Sequence, residues 1–66
     1  MGPERIGLRV KHYRERRRLT QEQLAERAGI SRTYLARLET GKHDPTASVL
    51  ERLAKALKVK VGRLFE

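Results

Sequence analysis

Thr20–Lys42 reads TQEQLAERAGISRTYLARLETGK, and this stretch decides the fold. Thr20 and Gln23 form a T-x-x-Q capping box, in which hydroxyl and carboxamide each satisfy an amide proton that a helix start leaves unpaired. Leu24, Ala25 and Ala28 then recur at the spacing of one helical face. Gly29 follows, where a helix ends most cheaply in a left-handed residue without a Cβ. Ile30 fills the turn, and Ser31 is a good N-cap for a second short helix. That helix is expected to reach Glu39 or Thr40, with Gly41 ending it. Leu35 and Leu38 are its inward positions, with Tyr34 at the edge. A small residue at Ala25, a Gly four residues on and two returning leucines let two helices cross closely at a steep angle.

An ordinary helical hairpin in a bundle shares that spacing, so the outward face of the second helix carries the distinction. At about 100° per residue, Arg32, Thr33, Ala36 and Arg37 fall on one arc of about 140°. The arc holds no acidic residue. Arg donates two hydrogen bonds to guanine O6 and N7, and Thr bonds a base or touches the thymine methyl. Ala36 keeps the centre of the face low. Arg32, Thr33 and Arg37 are therefore the candidate base-contacting residues of a helix laid in a major groove. Gln21, at the start of the preceding helix, stands beside exposed amide protons that suit a phosphate. Ser31, Tyr34 and Lys42 are further candidate phosphate contacts. Arg17, Arg18 and His43 are weaker ones.

Outward from this unit, Pro3 suits the first turn of a helix. Gly2 precedes it, and Ile6, Val10 and Tyr13 give an apolar face through about Arg17. After the loop Lys42–Pro45, Thr46 caps a fourth helix with a stripe of Val49, Leu50, Leu53, Ala54 and Leu57. In the tail KVKVGRLFE, Lys58–Val61 alternates like a strand. A lone strand has no evident partner, so a short fifth helix anchored by Leu64 and Phe65 is expected.

Composition narrows the function. A chain of 66 residues fits one domain, expected over 1–66, and one this small buries only about 60% of its unfolded surface. Dimerisation is a cheap way to add buried area. Sixteen Lys and Arg against eight Asp and Glu give +8, a balance suited to a polyanionic partner. There is no Cys, which excludes disulfides and thiolate metal sites. His12 and His43 lie far apart, so no metal site or cofactor is expected. With no His–carboxylate pair at useful spacing and no Gly-rich phosphate loop, no catalytic residue is assigned and an enzyme is not expected. No apolar run approaches the ~20 residues of a spanning helix. MGPERIGLRV has neither an apolar signal core nor a myristoylation signal, so a cytoplasmic protein is expected. Two Tyr and one Phe are too few for an RNA base-stacking platform.

The chain resembles the phage-repressor helix-turn-helix domains, the five-helix family of lambda-like repressors and Cro. The matching residues are Arg14, Leu19-Thr20-Gln21, Leu24-Ala25, Ala28-Gly29-Ile30-Ser31 and Tyr34-Leu35. They continue with Leu38-Glu39, Gly41-Lys42, Pro45-Thr46 and Leu53–Leu57. The resemblance implies a compact all-α, five-helix domain with the helix-turn-helix at about residues 21–40 and the recognition helix at 32–39. It places Arg32, Thr33 and Arg37 on bases and Gln21 on phosphate, and it implies a structural ion pair between Arg14 and Glu39. It departs at Lys58, where the family often has Gly, and at Lys60, where Ser or Thr often caps the last helix. The expected function is sequence-specific recognition of double-stranded DNA by a homodimer acting as a transcription regulator. No membrane or small-molecule partner is evident. The rival reading is a protein-interaction module, such as an antitoxin or coactivator adaptor. A broad neutral or acidic face on the recognition helix would favour that rival, and Arg32 and Arg37 argue against it.

Overall fold

The structure is a computed structural model that describes residues 3–66, so Gly2 lies outside the described residues. The helices are α1 (Pro3–Arg16), α2 (Gln21–Ala28), α3 (Arg32–Glu39) and α4 (Ala47–Leu57), followed by a 3-10 helix, η1 (Val61–Phe65). No strand forms among the described residues.

The starts are set by side chains. The Thr20 hydroxyl accepts from the Gln23 amide (3.0 Å), and the Gln23 carboxamide accepts from the Thr20 amide (2.9 Å), completing the capping box. Ser31 accepts from the Tyr34 amide (2.9 Å) and Thr46 from the Val49 amide (3.1 Å). The ends share one device. At Arg18, Gly29, Gly41 and Lys58 the chain turns left-handed, with φ of 55°, 70°, 78° and 59°. In each case that residue and the next donate their amides to carbonyls of the helix's last turns, the Schellman pattern. Glycine serves two of these stops. The other two are held by basic residues, for which the left-handed region is costly.

Val10, Leu24, Leu35, Leu38, Leu53, Leu57 and Leu64 are fully buried and form one core with Ala25, Ala28, Leu50 and Ala54. Each large side chain so buried contributes about 1.5–3 kcal/mol. α2 packs on α3 and α4, and α1 packs on α3, η1 and α4. Gly7 makes the α1–α3 approach possible, because a Cβ there would overlap the Leu38 carbonyl oxygen.

Two expectations are corrected. The fifth helix is a short 3-10 segment rather than an α-helix, and Lys60 gives its start no side-chain cap. Of its two expected anchors only Leu64 is buried, because the tight 3-10 turn carries Phe65 outward, leaving it 43% exposed.

Candidate nucleic-acid interface

α2 and α3 meet through Gly29 and Ile30, with Leu24, Ala25 and Ala28 facing Leu35 and Leu38 in the common core. This leaves the opposite side of α3 outward. Arg32, Thr33 and Arg37 are all exposed there, and Ala36 between them is half-buried. None of the three exposed side chains makes a hydrogen bond or ion pair to a described residue. Their donors are free to face a ligand.

The far end of α3 is fixed from two sides. Glu39 is buried, its side chain 2% exposed and that of Arg14 12% exposed. Arg14 donates Nε to Glu39 Oε2 (2.7 Å) and Nη2 to Oε1 (3.1 Å), a bidentate pair. Its Nη1 donates to the Leu19 carbonyl (2.8 Å), tying the α1–α2 turn to the same group. Hydrogen bonding to Glu39 holds the Arg14 guanidinium above its ordinary pKa, against the opposing effect of burial. Gln21 Nε2 also donates to Glu39 Oε1 (3.0 Å). The start of α2, the end of α3 and the last turn of α1 therefore converge on one carboxylate. The tie from Gln21 to Glu39 was not legible in sequence, because residues 18 apart carry no periodic signal of contact.

The remaining expected contacts fall into two groups. Ser31 caps α3 through its lone pair and keeps its hydroxyl proton to donate. Tyr34 is half-buried, with its ring stacked on His43 at 5.3 Å and 9°. Lys42 is exposed just beyond α3. Arg17 is corrected. Its Nε donates to the Leu57 carbonyl (2.9 Å) and its Nη2 to that of Lys58 (3.4 Å), so it caps the C-terminus of α4 instead of reaching for a phosphate. Carbonyls left open at a helix end attract a cation, and the packing of α1 beside α4 brings Arg17 to them.

Comparison with known proteins bears out the fold. The immunity repressor protein of Bacillus phage phi105 is 46% identical over 59 residues, covering 89% of this chain and 41% of that protein. The chain thus spans about two fifths of the length of the curated relatives it first matches. The crystal structure of the restriction-modification controller protein C.AhdI from Aeromonas hydrophila superposes with a TM-score of 0.93 at 30% identity, covering 96% of each chain. SinR, crystallised in complex with DNA and known from Bacillus subtilis, gives 0.88 at 34% identity, covering 92% of this chain and 98% of that one. Residues 10–64 match the family described as Helix-turn-helix, and the chain belongs to it.

Proposed function

We propose that this chain is a sequence-specific, double-stranded DNA-binding transcription regulator that lays α3 in the major groove. The observation that carries the reading is the free outward face of α3, where Arg32, Thr33 and Arg37 flank the low centre at Ala36. Arg32 and Arg37 read base edges, with Thr33 between them. Gln21 spends one amide proton on Glu39. Its second, with the open backbone amides at the start of α2, takes a phosphate. Ser31, Tyr34 and Lys42 add backbone contacts that set the register without reading sequence. The crystallised complex of SinR with DNA supports this use of the fold.

Two copies form a two-fold dimer and read an inverted repeat with half-sites about 34–36 Å apart, or a multiple of that. Val61 and Phe65, 40% and 43% exposed on η1, supply apolar surface for that contact. The protein acts in the cytoplasm, on chromosomal or phage DNA. Among the described residues no helix is long and apolar enough to cross a membrane.

Selection of bound sequences from a random duplex library at near-physiological salt tests the reading. An enriched inverted repeat is the expected result, and it supplies the operator at the same time. Salt-sensitive binding without enrichment reduces the interaction to charge attraction and moves a protein-partner role to first place.

A further inference from the structure

A cleft of about 440 Å³ opens between the C-terminal half of α1 and the segment joining α4 to η1. Its cations are Arg16, Lys58, Lys60 and Arg63, and His12, Tyr13 and Val59 complete its lining. Among the described residues no acidic side chain lines it. The cleft is on the far side of α1 from α3. Around the helix, His12 and Arg16 are turned roughly 140–180° from Gly7 and Arg14, the α1 residues that meet α3.

Two of its lysines stand against the preference of the local backbone. Lys58 is left-handed at φ 59°, where Gly is free of strain. Lys60 occupies the residue before η1 and makes no side-chain cap, where Ser, Thr, Asp or Asn would satisfy an amide. Both departures line the same cleft. Strained or locally unfavourable residues gather where a side chain is wanted for something other than folding. Arg63 shares its charge with Glu66 (3.4 Å). Arg16, Lys58 and Lys60 form no ion pair with a described residue.

We propose that this cleft docks an acidic polypeptide segment of a partner protein, with carboxylates held by Arg16, Lys58 and Lys60. A duplex is too broad to enter a concavity of this volume, and α3 already offers DNA its own face. A second copy of the chain placed cleft to cleft would set like charges opposite one another. The small apolar lining gives a compact anion little surface to bury, so binding must come from several charges engaged at once. An extended acidic chain carries them at successive residues.

The test is anisotropy of a fluorescein-labelled octaglutamate peptide with the full chain at about 0.1 M salt, where exposed charges beyond a Debye length are largely screened. The informative variant is Lys58→Gly with Lys60→Ser. Each change installs the residue that the backbone favours, so the melting temperature holds or rises while peptide affinity falls about tenfold or more. The control, Arg32→Ser with Arg37→Ser, removes the same charge from α3 and leaves peptide affinity within about twofold. No binding to the unaltered chain, or an equal loss in both double variants, overturns the proposal. Displacement of the peptide by one equivalent of duplex places the peptide on the DNA face and overturns it too. Tighter binding of inorganic tripolyphosphate than of the peptide overturns the polypeptide class. The two double variants are compared without DNA, so failure of the DNA-binding reading would show separately.

Discussion

At the scale of single residues, Glu39 carries the most. Its carboxylate takes three hydrogen bonds, two from Arg14 and one from Gln21. Replacing a buried pair with apolar groups is often neutral, whereas removing one partner strands a charge. Glu39→Ala should therefore cost about 3 kcal/mol or more in urea unfolding. A loss under about 1 kcal/mol would mean that the pair behaves like an exposed one. Lys58 gives the opposite sign. Lys58→Gly removes left-handed strain, and the loss of chain entropy offsets only part of that gain. A rise in stability of about 0.5–1 kcal/mol is expected, visible as a higher melting temperature. Unchanged or lower stability would show that the Lys58 side chain contributes to folding. These two sites also mark what sequence tells and hides. A left-handed stop at Gly29 or Gly41 is legible because Gly announces it. The same stop at Arg18 is hidden, since no Gly announces it, and at Lys58 only the resemblance, which often has Gly there, points to it.

Among elements, the capped starts at Thr20, Ser31 and Thr46 and the apolar stripes of α2, α3 and α4 followed directly from local rules. Those rules act within a few residues, so they place helices well. They do not say which helix a long cation will reach. Arg17 shows the limit. It reads as one more basic residue near a DNA face, yet the C-terminal ends of α1 and α4 lie together, which makes it the cap of α4. Gly7 is a second case, a glycine inside a helix with no turn to explain it. Exposed, Gly7→Ala would stabilise α1 by about 0.5–1 kcal/mol. Here the new Cβ meets the Leu38 carbonyl oxygen, and backbone does not yield as a flexible side chain does. Overpacking of this kind costs about 1–3 kcal/mol, so a net loss is expected by thermal unfolding. A gain would mean that α1 and α3 slide apart at little cost.

For the whole molecule, charge and shape act together. A chain of +8 that neutralises several phosphates should lose affinity linearly in log–log plots against salt, with a slope of about −0.9 per phosphate contact. Arg32→Ala or Arg37→Ala should cost about 1–3 kcal/mol on the preferred duplex and relax preference at one base pair, measured by competition between single-base variants. Equal losses on preferred and random duplex would remove these residues from the base-reading role. The candidate base readers were legible because they lie on one helical arc. Their support was only half legible, since Arg14 and Glu39 were paired by resemblance while Gln21 was placed on phosphate alone. The separation between the two groups has a further consequence. Side chains at 32, 33 and 37 make no hydrogen bond or ion pair to the described residues of the scaffold that presents them. Changes at such exposed positions usually move stability by no more than about 0.5 kcal/mol. A library randomised at those three sites should stay folded almost throughout, so new target preferences are within reach of single steps without a detour through unfolded intermediates.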